Sequence, residues 1–218
     1  MSMQYQSYSA IRSEVKPGDI IAFGGKSEFS DIIKWATRSV VSHVGIIMQS
    51  QLVIGGTTQG DTMNQLIEST SLNGFSGVTI NRLSDRIAQY EGEIWWLPLA
   101  GVVRERLDLK QFCAWCLKQE RKPYDMPQAV KSAVDATDKV PILGRATHNI
   151  EDFAKFFCSE LAAGALEVGG AIPHINASEV TPVDLCSFNI YASNYVQIKG
   201  VEKPIRTYKR FDPTGWGE

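Results

Sequence analysis

Three short segments of this 218-residue sequence hold the residue types of nucleophilic catalysis: "VSHVGIIM" with His43, "LIEST" with Glu68, and "FFCSELA" with Cys158. Cysteine attacks as a thiolate, because the neutral thiol is a poor nucleophile. A histidine within hydrogen-bond reach takes the thiol proton and later returns it to a leaving group. A carboxylate on the far side of the imidazole fixes its tautomer and favours its charged form. A helix N-terminus beneath the sulfur adds partial positive charge and N–H groups for a developing oxyanion. Taken as types alone, His, Glu and Cys are common, and the same residues also read as packing. Cys158 shares a helical face with Leu161, Ala162 and Ala165, and a lone cysteine is often a small core residue. The segment "NIEDFAKFFCSELAAGALEVGG" can run as one helix from Asn149 to Gly169 with Cys158 in its middle. A helix starting near Phe157 favours a nucleophile; an unbroken one from Asn149 favours packing.

The elements that must position these groups follow from periodicity. After the turn Pro17-Gly18-Asp19, a short strand is expected at 20–23, with further strands at 43–49, 65–70, 77–83, 93–99 and 194–200. Helical spacing appears in 27–38 and in "LDLKQFCAWCLKQERKP", which stops at Pro123. A short helix is expected at 181–188, with Thr181 as cap and Pro182 in the first position. The pattern predicts an α+β fold, helices around a mainly antiparallel sheet, in a single domain spanning 1–218. Residues 1–15 read as a polar leader, 135–150 as an insertion or long loop, and 208–218 as a loosely ordered tail.

Other candidates read as structural. Cys113 and Cys116 form a C-x-x-C inside a helix with no second ligand pair, so core packing is expected rather than metal or redox chemistry. His148 and His174 fall in loop contexts, with His174 the reserve base. Glu160 suits a first helical turn, where a carboxylate complements the dipole. Of Trp95 and Trp96, one is expected in the core and the other partly exposed.

The composition is that of a globular chain, 44% hydrophobic and 21% charged. A net charge of −2 supplies no basic footprint for nucleic acid and no polybasic membrane patch. The first residues lack a secretory signal, and "VVSHVGIIM" is too short to span a bilayer. Four sparse cysteines fit a reducing compartment, so a soluble, cytoplasmic protein is expected. No cofactor or metal is implied, and the expected partner is a peptide, amide or lipid-like substrate.

The segments "VKPGDII", "SHVGI", "LIEST", "KPYD", "FFCSELA" and "TPVDL" follow one another in the order of the circularly permuted branch of the NlpC-like papain-fold hydrolases. Over about residues 15–190 the chain resembles the YiiX-like permuted amidases of that branch, in which the histidine strand precedes the cysteine helix. The resemblance implies a permuted papain-like fold: a small antiparallel, partly barrel-like sheet with the cysteine helix packed against it. It implies Cys158 as nucleophile, His43 as base and acid, Glu68 as orienting group, Tyr124 as a cleft residue and the Cys158 backbone N–H as oxyanion donor. The implied reaction is attack on an amide or ester carbonyl through an acyl-thioester. The chain departs from cell-wall-acting relatives in lacking an export signal. It also departs from related lipid acyltransferases, whose Asn-Cys-Glu-His signature is here Phe157-Cys158-Ser159-Glu160. The alternatives are a non-catalytic binding or assembly protein on the same fold, or a lipid acyltransferase or phospholipase of the permuted class.

Overall fold

Two strands, Ile20–Gly25 (β2) and Gly92–Leu97 (β6), are buried at every position. Such runs arise where helices cover both faces of a sheet, so that neither set of alternate side chains meets water. Trp95 and Trp96 show the consequence. They point to opposite layers and are both buried, at 0% and 5% exposure, so the expectation of a partly exposed neighbour is corrected. The computed structural model describes residues 2–25, 40–53, 61–72, 74–123 and 150–217, apart from the side chains of 51–53, 61–62 and 150–157. The helix expected at 27–38, the 135–150 segment, Tyr124 and His148 lie outside the described residues.

The other strands are Ser2–Tyr5 (β1), His43–Val53 (β3), Asp61–Leu72 (β4), Phe75–Arg82 (β5) and Asn194–Lys199 (β7). They form one sheet of seven strands in the order β1-β7-β6-β2-β3-β4-β5. All pairs are antiparallel except β1 with β7. The fold is therefore α+β with a mixed, mainly antiparallel sheet. The parallel pair escaped sequence reading because Ser2–Tyr5 is largely exposed and carries no apolar alternation.

The helices are Tyr8–Ile11 (α1), Leu83–Gln89 (α2), Gly101–Arg104 (α3), Leu109–Gln119 (α4), Ile150–Val168 (α5) and Pro182–Ser187 (α6). One core layer joins Ile11 and Val15 to Ile21, Phe23, Ile47, Leu66, Leu83 and Trp96. The opposite layer packs Phe112 and Cys116 of α4 and Cys158, Ala162 and Leu166 of α5 against Ala22, Val44, Ile46 and Ile67. Thr181 caps α6 with a full capping box through Asp184, as its sequence implies.

Described residues near both ends of the chain pack against the sheet and its helices. Beyond β1, the chain start buries Ile11 and Val15. At the other end Asn189 N–H donates to Phe211 O at 2.6 Å and the Trp216 ring lies 5.2 Å from Phe188. Aromatic anchoring of this kind has no periodic signature. No helix among the described residues is long and apolar enough to cross a membrane.

Candidate active site

Strands β3 and β4 pair from Val53↔Asp61 to Ile46↔Ile67. Beyond that point His43 continues the ladder with β2, opposite Phe23, while Glu68–Leu72 continue with β5. The β3–β4 pairing thus ends at Ile46 and Ile67, and His43 and Glu68 lie just beyond its end. Ser42 fixes the entry to β3: its hydroxyl accepts from Gly25 N–H at 3.2 Å and donates to Phe23 O. This role explains the serine of "SHVGI".

Glu68 is fully buried and its carboxylate is held by four hydrogen bonds. Oε2 lies 2.8 Å from His43 Nε2 and accepts from Arg86 Nη2 at 3.1 Å. Oε1 accepts from Arg86 Nε and, at 3.2 Å, from Asn81 Nδ2. Burial alone would push this carboxyl up, but the His43 hydrogen bond and the Arg86 charge outweigh it and hold Glu68 down at about 2. It is a carboxylate throughout the neutral range. The His43 ring lies 5.2 Å from that of Phe23, and the Arg86 guanidinium sits 5.3 Å and 5.4 Å from the Phe23 and Tyr90 ring centroids. Burial raises the Tyr90 hydroxyl far above its ordinary range, and it hydrogen-bonds Ser42.

A stability consequence follows for Glu68. Between its ordinary value of 4.5 and about 2, the unfolded chain binds a proton there that the folded chain does not. The carboxylate's stabilisation, on the order of 3 kcal/mol, is complete above pH 4.5 and is lost as pH falls towards 2. Urea unfolding at pH 7 and pH 3 is expected to show this loss, and Glu68→Gln is expected to flatten it.

Gly45 makes room for the cluster. A Cβ there would lie 2.8 Å from Leu66 Cδ1 and 3.2 Å from Glu68 Cβ. Gly45→Ala is expected to displace β4 where it carries Glu68, at a cost of about 1–3 kcal/mol from overpacking. Thermal denaturation checks this, and a melting point equal to that of the unaltered protein would contradict it.

Cys158 is the ninth residue of α5, which runs unbroken from Ile150 to Val168. Only the first four N–H groups of a helix lack partners inside it. The Cys158 N–H therefore lies inside the helix and not among the open amides of its first turn. Of the two helix starts the sequence leaves open, the structure has the unbroken one. Glu160 is likewise not in a first turn but half-buried in mid-helix, with its carboxyl pushed up by burial. The amides that meet the Cys158 thiol are those of Val44, the residue after His43, of Ser159 and of Cys158 itself. Burial at 0% exposure pushes the thiol up to about 12, hydrogen bonding from Val44 offsets part of this, and the Glu68 charge adds to the rise. Cys158 is thus a neutral thiol at neutral pH. Its side chain belongs to the α5 layer, whereas His43 and Glu68 face the Phe23 and Arg86 layer.

The structure therefore joins His43 to Glu68 directly and brings Cys158 to the adjacent peptide. It adds Arg86 and Asn81, which sequence reading missed. An arginine whose carboxylate partner lies 18 residues earlier in the chain leaves no local pattern. The remaining candidates are elsewhere. His174 is exposed and pairs with Glu167 Oε1 at 2.6 Å, which removes it as a reserve base. Cys116 is core, and the Cys113 thiol donates to Met48 O at 3.6 Å, as packing predicts. Among the described residues, no group of three or more His, Cys, Asp or Glu side chains is placed to hold a metal. Asn81 also lines a cavity of about 350 Å³, together with Leu72, Phe75, Thr79, Ile80 and Arg121.

Fold and site together define an α+β protein with a buried histidine–carboxylate–guanidinium cluster beside a cysteine-bearing helix. No family model matches the sequence, and no curated protein matches it. Among solved structures, the chain is similar to the metalloprotein YiiX from Escherichia coli O157:H7, at 20% identity with a TM-score of 0.42. The matched region covers 71% of this chain and 66% of that one.

Proposed function

We propose that the protein is a cysteine hydrolase of amide or ester bonds, with Cys158 as nucleophile, His43 as general base and acid, and Glu68 as the group that orients the imidazole. The sheet and cysteine helix are read with it as a permuted papain-like arrangement, and Tyr124 as a substrate-binding residue. The observation that carries the reading is the 2.8 Å contact of His43 Nε2 with an ionised, buried Glu68, His43 being one residue from Val44, whose amide is among those that meet the Cys158 thiol.

Because the resting thiol is neutral, the proton leaves as the sulfur attacks. His43 Nε2 is engaged by Glu68, so Nδ1 is the nitrogen that receives it. The S–C bond forms as the carbonyl becomes an oxyanion. Collapse of that intermediate expels the amine or alcohol, which takes the proton from His43. Water, deprotonated by His43, then cleaves the thioester and regenerates the thiol. Val44 N–H hydrogen-bonds the sulfur and favours its anionic form.

A non-catalytic binding protein is the second reading, favoured by the unbroken helix through Cys158 and its raised thiol. Turnover assays on a panel of amides, esters and lipids separate the two. Hydrolysis abolished by Cys158→Ala supports the enzyme. Ligand binding that survives Cys158→Ala, with no turnover of any substrate, supports the binding protein.

A further inference from the structure

We propose that Arg86 is a positioning residue that clamps Glu68 in the orientation His43 requires and, by balancing its charge, sets how tightly His43 holds a proton. The catalytic consequence rests on the hydrolase reading; the effect on His43 does not.

A carboxylate bound only to an imidazole can rotate about its last bonds and present either oxygen. Glu68 cannot, because the Arg86 fork takes both oxygens at once through Nε and Nη2, and Asn81 fixes Oε1 from a third direction. Oε2 is left aimed at His43 Nε2. Arg86 is itself immobilised, 5% exposed and set over the rings of Phe23 and Tyr90. A surface ion pair would not spend a buried aromatic slot on its cation.

The charge balance follows. A lone buried carboxylate beside His43 would strongly favour imidazolium. Here the guanidinium has already neutralised it, and the cluster carries no net charge while His43 is neutral. That state suits a general base awaiting a proton from a neutral thiol. Among the described residues, the other titratable groups facing this region are Tyr90, kept protonated by burial, Cys158 from α5, and Glu93, which pairs with Lys203 at 2.6 Å. None of them supplies a second permanent positive charge next to Glu68.

The test is the imidazole NMR titration of His43 in the full chain, with its signals assigned against His148 and His174 variants, since the sequence has three histidines. In Arg86→Gln the His43 midpoint is expected to rise by about one pH unit or more, because Glu68 is no longer balanced. Arg86→Lys keeps the charge without the fork. Its midpoint is expected to stay within about 0.3 units of the unaltered protein while kcat falls about tenfold or more from lost orientation. In the double variant Glu68→Gln/Arg86→Gln the midpoint is expected to fall back from that of Arg86→Gln alone. A folded Arg86→Gln with an unchanged midpoint overturns the proposal. Should Arg86→Gln not fold, an Arg86→Lys midpoint displaced by a full unit overturns it instead. Midpoint shifts as described in a protein that hydrolyses nothing would leave the role of Arg86 standing and contradict the hydrolase reading.

Discussion

His43→Ala is expected to slow acylation of Cys158 by about 10²–10⁴-fold, the range attributable to a positioned general base. The structure makes this dependence steep. A thiol near pKa 9 would have an appreciable thiolate population without assistance, but burial pushes Cys158 up to about 12. At neutral pH almost none of it is thiolate, so the proposed reaction depends on a base that accepts the proton during attack. Glu68→Gln is expected to act in the same direction but less severely, since the amide keeps one oxygen for the His43 N–H and loses the charge that favours imidazolium. Pre-steady-state measurement of the acylation phase checks both variants. Equal rates in His43→Ala and the unaltered protein would remove the base from the mechanism.

The second large effect lies away from the chemistry. Asp19→Ala is expected to destabilise the protein by about 3 kcal/mol or more, as removal of one partner from a buried ion pair does. The Asp19 carboxylate is fully buried at the end of the Pro17-Gly18-Asp19 turn, where it ties three separate segments together. It accepts from Lys16 N–H at 2.8 Å, from Trp96 Nε1 at 2.9 Å and from Leu99 N–H at 2.9 Å, and it pairs with Arg104 of α3. Alanine leaves the indole and an amide buried without acceptors. Arg104, 24% exposed, can turn to water, which keeps the cost towards the lower end of the range. In a chain of this length such a loss corresponds to a fall in melting temperature of about 6–12 °C. Asp19→Asn, which keeps one acceptor oxygen, is expected to fall less. The motif "VKPGDII" is therefore a structural knot that sets the start of β2, and with it the partner strand of His43.

Much of the frame was legible because strands and caps are local. The β-branched run after His43, the turn-rich break before β5 and the Thr181-Pro182 start of α6 all carry their signals within a few residues. The pairing of His43 with Glu68 was legible only through the order of motifs, since their contact spans 25 residues. The start of the cysteine helix was not legible: apolar spacing continues through 150–157, so periodicity cannot say where the first turn lies. Arg86 was hidden for a related reason. The helix carrying it has seven residues, too few for a clear period, and its partners lie on two other strands. The packing of the tail rests on buried Tyr208 and partly buried Trp216, single aromatics whose contacts no spacing rule announces.

The central claim is that Cys158 forms the covalent intermediate with His43 as its base. Intact mass and peptide mapping after brief reaction with an activated ester test it most directly. The account predicts one acyl adduct, located on Cys158, absent from Cys158→Ala and formed about 10²-fold or more slowly in His43→Ala. An adduct on the partly exposed Cys113 instead, or one that forms on Cys158 at an unchanged rate without His43, would contradict it.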